Sequence, residues 1–374
     1  MCPGPNPRLG LAAIGLSLVG GCGLLLDPSP SDPGPTIAAW PEGYGYRWIL
    51  RIPAGSVSAD LAGFPVLVQL TDRPVLSSAQ PGASDLFFVD APTGRVLAHE
   101  VDTFDPDSDT LLAWVRIPLL RSDADTDMVA YIGGPGPPVP IDACEVWSEG
   151  YALVAHAAPG SVFLNSDDPG RGGIPQDVAA TPGPIGAAVQ LAVDGAAVRF
   201  DGLRGVLGGR SSYSVSMWMR ADAATDADWQ RVEGLVFEQG DALTLGRTFR
   251  PDGFAPSEGV MQVDVHFASG MTDFLQAAVL RQRWHHVAFQ YDGRVSASFA
   301  DGRRDWSSPF PGEALASTDS PFFIGGASLS ERSSSVDEVR LATVARADAW
   351  FLAEAVNQTD PLGFVQVVEL QVRP

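Results

Sequence analysis

Five histidines, three cysteines and a large excess of carboxylates are the side chains from which this chain could build a reactive or metal-binding site. The histidines are His99, His156, His266, His285 and His286. His285 and His286 are adjacent, and on a strand adjacent side chains point to opposite faces. They cannot both hold one ion from that strand, so one is expected to pack inside and the other to face solvent. The same geometry bears on Asp337 and Glu338. Glycoside hydrolysis needs two carboxylates facing each other across a cleft, and strand neighbours facing opposite ways do not supply such a pair. No serine lies in a Gly-x-Ser-x-Gly elbow. Gly-x-Gly-x-x-Gly and Walker-type loops are also absent from the sequence, so nothing points to a nucleotide site. Cys2 and Cys22 lie in an apolar N-terminal segment. Cys144, the one thiol of the body, offers no intramolecular disulfide and no thiolate metal framework. It is expected to be a small buried hydrophobe.

The elements that must position these groups read as strands. Tyr44, Tyr46, Trp48, Leu50 and Ile52 alternate with polar or small residues, a period of two with one buried face. Further strands are expected at 64–70, 85–90, 97–101, 111–117 and 128–132. No helical stripe interrupts them. After a Gly/Pro cluster at 133–140, the second half shows the same period. Met261, Val263, Val265 and Phe267 alternate with Gln262, Asp264 and His266, and Val295, Ala297 and Phe299 alternate with serines. One helix is expected over 346–357, with Trp350, Phe351, Glu354 and Val356 at helical spacing. A strand over 364–372 closes the chain. The pattern predicts an all-β protein with two β-sandwich domains.

Composition narrows the partners. The 374 residues carry 45 acidic and 24 basic side chains, a net charge of −21, and every basic residue is Arg. Such a surface repels nucleic acid and anionic lipid headgroups. At the N-terminus, Arg8 precedes an apolar run from Leu9 to Val19, then Gly20-Gly21-Cys22. This segment resembles a bacterial lipoprotein signal, with cleavage before Cys22 and lipidation of its thiol. Val19 stands where Leu is commonest. Gly23 after the cysteine, in place of Asp, leans toward the outer membrane. The Pro-rich stretch from Asp27 to Pro35 reads as an extended tether.

Two further resemblances organise the body. Trp284-His285-His286-Val287-Ala288-Phe289-Gln290-Tyr291-Asp292-Gly293, then Phe323-Ile324-Gly325-Gly326, then Val336-Asp337-Glu338-Val339-Arg340-Leu341 and a short helix ending at Asn357-Gln358, occur in the order of a laminin-G/concanavalin A-like jelly roll. Ala197-Val198-Arg199-Phe200-Asp201-Gly202 resembles that family's first strand and turn. The resemblance spans roughly 186–358. It implies a sandwich that binds glycans or proteins without catalysis. It also implies that Trp284 packs between the sheets, with Trp218 and Phe299 on strands at the centre. By the same analogy Asp201 and Asp337 are candidate ligands of a Ca²⁺ ion, a hard-oxygen site. The first half resembles an exported β-domain of unknown function that often precedes a laminin-G-like module in bacterial envelope proteins. Tyr46-Arg47, Phe64-Pro65-Val66-Leu67-Val68, Asp85-Leu86-Phe87-Phe88, Trp114-Val115-Arg116-Ile117-Pro118 and Tyr131-Ile132-Gly133-Gly134 carry that likeness. Ser148 and Ala155 depart from it, where Asp and Trp are usual.

The expected organisation is a signal peptide at 1–21, a tether at 22–43, a β-sandwich at 44–142, a connecting segment at 143–184 and the laminin-G/concanavalin A-like domain at 185–374. The function implied is that of a non-catalytic, surface-anchored protein of the bacterial envelope. It would recognise a glycan or an envelope protein, bind no nucleic acid, require no cofactor and hold at most a Ca²⁺. Two alternatives stand beside it. One is a structural or transport-accessory component, associated by analogy with ExbB/TolQ-type proton channels. The other is a carbohydrate-active enzyme.

Overall fold

Alternation builds the strands of the N-terminal half. Trp48, Leu50 and Ile52 turn inward from strand Tyr46–Ile52, and Phe64, Val66, Val68 and Leu70 turn to meet them from strand Leu61–Leu70. We describe residues 40–147, 150–158, 161–166, 172–191, 195–222, 234–235, 237–240, 242–249, 258–326 and 334–373 from a computed structural model. One sheet of the first sandwich runs in the order Gln366–Val372, Tyr46–Ile52, Thr126–Ile132, Phe87–Asp90, Val96–Leu97. The facing sheet runs Leu61–Leu70, Thr110–Leu120, His99–Asp105. Leu111, Ala113 and Val115 meet Met128, Ala130 and Ile132 between them.

The position of Gln366–Val372 differs from expectation. The strand expected to close the second domain is built into the first, antiparallel to Tyr46–Ile52, with Tyr46 opposite Val372 and Arg51 opposite Gln366. Without it, Tyr46–Ile52 would be a sheet edge with unpaired backbone groups. A strand's own pattern tells which face is buried, but not which sheet it joins.

The second sandwich places a broad sheet against two smaller ones. The broad sheet includes Ala187–Leu191, Tyr151–Ala158, Ser334–Ala342, Tyr213–Ala221, Trp284–Tyr291 and Val295–Ala300. It faces Ala197–Phe200 with Phe322–Gly325, and Glu258–His266 with Thr272–Leu280. Met261, Val263, Val265 and Phe267 all turn into the core, as their alternation predicts. Val198, Phe200, Met217, Phe237, Phe289, Ile324 and Leu341 fill the rest of it. The fold is all-β, with a concanavalin A-like jelly roll and a short helix near the C-terminus.

That helix, Asp348–Thr359, lies between the sandwiches. Trp350 meets Phe64 edge-on at 4.9 Å, and Phe351 meets Phe299 at 4.5 Å. Asn357 accepts from Leu67 N–H at 2.7 Å and donates to Leu67 C=O at 2.9 Å. It thereby satisfies backbone groups on the outer strand of the three-stranded sheet, a cap that suits an exposed edge. Val356, expected on the buried stripe, is exposed, whereas Asn357 and Gln358 are buried.

Candidate functional site

The structure does not bring the two expected calcium ligands together. Asp201 sits in a surface turn after strand Ala197–Phe200, held by Arg199 at 3.0 Å and Arg204 at 3.6 Å. Asp337 is buried on strand Ser334–Ala342 and accepts from Ile185 N–H at 3.1 Å. Val336, Val339 and Leu341 of that strand enter the core that Val198 and Phe200 also line. Asp337 faces away from it, so the core separates the two carboxylates. Two arginines already balance Asp201. Cys22 lies outside the described residues. Cys144, expected to be buried, is half-buried.

The histidine pair also departs from expectation, because both rings are buried. His285 Nε2 accepts from Leu280 N–H at 2.9 Å, so Nδ1 carries the proton and donates to Asp301 Oδ2 at 3.0 Å. His286 turns to the opposite face but meets the helix rather than water. Its Nε2 lies 3.5 Å from Glu354, and its ring meets Trp218 edge-on at 5.6 Å.

Three acidic residues and an arginine that sequence reasoning did not combine join Asp337 and Glu338 between the sandwiches. Glu100 and Asp102 share one face of strand His99–Asp105 by the period of two. Opposite them stand His156, Glu338 and Arg340 from the broad sheet, and Glu354 from the helix. His156 Nδ1 lies 2.7 Å from Glu338 Oε1 and 3.9 Å from Asp102, while Nε2 lies 3.9 Å from Glu100. Arg340 reaches Glu338 and Glu354, each at 3.0 Å, with its guanidinium 4.4 Å from the Trp114 ring and 5.0 Å from that of Trp147. Trp147 Nε1–H donates to Glu100 at 2.6 Å, and Trp350 Nε1–H to Glu354 at 3.1 Å.

A backbone irregularity makes this possible. Glu338 has φ 52°, and the register with strand Tyr213–Ala221 shifts between Ser216 and Trp218. The bulge turns Asp337 and Glu338 toward the same side, where a regular strand would set them on opposite sides. A non-glycine residue in the left-handed region costs free energy and persists only where its surroundings hold it.

Burial and charge move the protonation equilibria here. Burial lifts Asp102 to about 6. It also raises Asp337 well above the carboxylate range, with Glu338 repelling it further. Burial would push the His156 imidazole down, but Glu338, Glu100 and Asp102 outweigh it and hold the ring at about 9. Burial would likewise raise Glu354, yet His286 and Arg340 hold it at about 2. Sequence carried one faint signal of this cluster, the acids at Glu100 and Asp102 repeating on one strand face.

A different feature opens to solvent. Trp218, Arg283, Trp284, Asp301, Val356 and Asp360 line a recess of about 390 Å³ where the broad sheet meets the helix. Trp284, expected between the sheets, is partly exposed at the start of its strand. The Arg220 guanidinium lies 5.0 Å from its ring and is held by Asp222 at 2.5 Å. Trp218 and Phe299 face the helix rather than the sandwich centre. Trp218 Nε1–H donates to Gln358 at 2.6 Å, and Phe299 packs on Phe351. His285 and the His286 N–H hold Asp301 in place, and against the effect of burial they keep its carboxyl below the usual range. The recess therefore offers indole surface, a fixed carboxylate acceptor and an arginine donor.

A search among curated proteins finds no match to this chain. Among solved structures, the binding domain of Paraclostridial Mosquitocidal Protein 1 is similar at 9% identity and a TM-score of 0.44, covering 55% of this chain and 52% of that one. The Botulinum neurotoxin serotype D binding domain is similar at 10% identity and a TM-score of 0.43, covering 56% and 51%. The serotype D ligand binding domain in complex with N-Acetylneuraminic acid gives the same values. The chain spans about half the length of these structures, and likenesses of this size carry no functional argument. Residues 178–350 match the laminin G-type family model described as "Concanavalin A-like lectin/glucanases superfamily".

Proposed function

We propose that this chain is a non-catalytic binding protein of the bacterial envelope that takes a glycan in the recess formed by Trp218, Trp284 and the 348–359 helix. The recess itself carries the reading. Binding sites for small ligands are concave, apolar over much of their lining, and oriented by a few fixed polar groups. Partly exposed Trp284, the held carboxylate of Asp301 and the guanidinium of Arg283 meet that description within about 390 Å³. Glu354 in the junction is closed to a substrate. The hollow lined by Tyr151, Arg340 and Glu354 measures only about 10 Å³, too small to admit a sugar. The protein reaches the membrane through diacylglycerol on Cys22. That part rests on the Gly20-Gly21-Cys22 motif after an apolar run. Acylation of both the glycerol and the new amine makes attachment stable.

A glycan array probed with residues 36–374 identifies the ligand. Trp284→Ala then weakens binding by roughly tenfold or more, equivalent to about 1.4 kcal/mol, without lowering the melting temperature appreciably. Unchanged affinity in that variant refutes the recess as the site. For the anchor, Cys22→Ala abolishes incorporation of radioactive palmitate; labelling that persists counts against it.

A further inference from the structure

We infer that the junction between the sandwiches is a divalent-cation site, with Asp102, His156 and Glu338 as its protein ligands. This site is separate from the recess and stands or falls without it. One ligating atom from each of the three residues lies within 4.8 Å of the others. The His156 Nδ1 to Glu338 and Asp102 separations, 2.7 and 3.9 Å, let one ion contact all three atoms at about 2.0–2.4 Å. Two carboxylates and an imidazole form a borderline donor set that suits Zn²⁺ or a similar first-row ion better than Mg²⁺, which prefers oxygen and water.

Two further observations point to a cation. The first is the other ring nitrogen. His156 is buried, and its Nε2 has no hydrogen-bond partner. It is aimed at Glu100, 3.9 Å away. If an ion takes Nδ1, the ring proton resides on Nε2 and faces that carboxylate. Metal-bound histidines are commonly oriented in this way, by an acceptor on the opposite nitrogen. Trp147 and Ser166 fix Glu100 there, at 2.6 and 2.7 Å. The second is charge. Glu100, Asp102, Asp337, Glu338 and Glu354 gather around Arg340, His156 and His286. Among the described residues, carboxyl groups outnumber the cationic side chains there, and a divalent ion offsets part of that excess. The bulge at Glu338 delivers the third ligand. Asp102 comes from the first sandwich and His156 and Glu338 from the second, so the three ligands meet only in the folded chain. Binding is therefore coupled to folding.

The full chain, unfolded in chelator and refolded with and without Zn²⁺, tests this. The expected result is one zinc per chain retained through desalting, with a higher melting temperature than the chelated protein. Asp102→Asn and Glu338→Gln lose that equivalent, and Asp201→Asn keeps it. Refolding with Co²⁺ gives a readout that needs no variant: nitrogen and oxygen ligands produce visible d–d bands without thiolate charge-transfer absorption. The inference is overturned if the wild type retains no stoichiometric metal, if Asp102→Asn retains the full equivalent, or if the cobalt spectrum shows thiolate ligation by a cysteine.

Discussion

The interior of the second sandwich and the junction between the two sandwiches are both largely buried and chemically opposite. Met217, Phe237, Phe289, Ile324 and Leu341 fill the first without a charge among them. The second buries Glu338, Arg340, Glu354, His156 and His286 among Trp114, Trp147 and Trp350. Apolar contact is non-directional, so the sandwich interior stabilises any packing of about the right volume. A charge network is satisfied in one arrangement only. Ion pairs taken out of water contribute little net stability, yet breaking one by removing a partner is expensive. The interior thus holds the jelly roll together, and the junction sets how the first sandwich, the helix and the jelly roll sit against one another.

The largest expected effect comes from breaking the junction. Arg340→Ala takes from Glu338 and Glu354 their shared arginine partner, leaving only His156 and His286 opposite them, and costs about 3–5 kcal/mol. Phe289→Ala in the sandwich interior costs a similar ~3–5 kcal/mol. The two part on acidification. The Arg340→Ala deficit shrinks as these two carboxylates protonate, and the Phe289→Ala deficit does not. Urea titrations at several pH values distinguish them, and parallel pH responses break the comparison.

Titration gives the next effect. In the metal-free chain His156 binds its proton more tightly folded than unfolded, because its folded value is about 9 against 6.5. Unfolding therefore releases a proton between those values. Stability contributed by the ring is fully present below pH 6.5 and is lost as pH rises toward 9, with a slope approaching about 1.4 kcal/mol per pH unit. His156→Gln flattens that slope. Glu354 acts with the opposite sign at low pH. Its contribution is present above its unfolded value of 4.5 and is lost as pH falls toward about 2.

Deleting residues 366–374 sharpens the comparison from another side. It removes the strand that covers Tyr46–Ile52 and the partly buried Leu370, at a cost on the order of 2 kcal/mol. Hydrogen exchange should rise in strand Tyr46–Ile52 and stay unchanged in Glu258–His266. Uniform exchange throughout would mean that the two sandwiches open as one unit. The smallest expected effect on stability is that of Trp284→Ala, about 1 kcal/mol or less. That change removes a partly exposed ring and one cation–π contact.

Local pattern determined much of this protein. The period of two named the strands, and it placed Met261, Val263, Val265 and Phe267 in the core, because side-chain alternation is a property of the strand itself. The helix was legible from its apolar spacing, and the run from Trp284 to Gly293 pointed to the jelly roll. Tertiary structure decided the rest, for physical reasons specific to each residue. His286 is buried because a helix from later in the chain covers the outer face of its sheet. Trp284 is partly exposed because it starts its strand at the sheet's end. Gln366–Val372 pairs with Tyr46–Ile52, a contact some 320 residues apart that no local periodicity encodes. Asp337 and Glu338 point the same way because one residue adopts φ 52°, which defeats the alternation rule at that point. Glu100, Asp102, His156, Arg340 and Glu354 are scattered along the chain. Burial at a shared interface, rather than spacing, makes them a site.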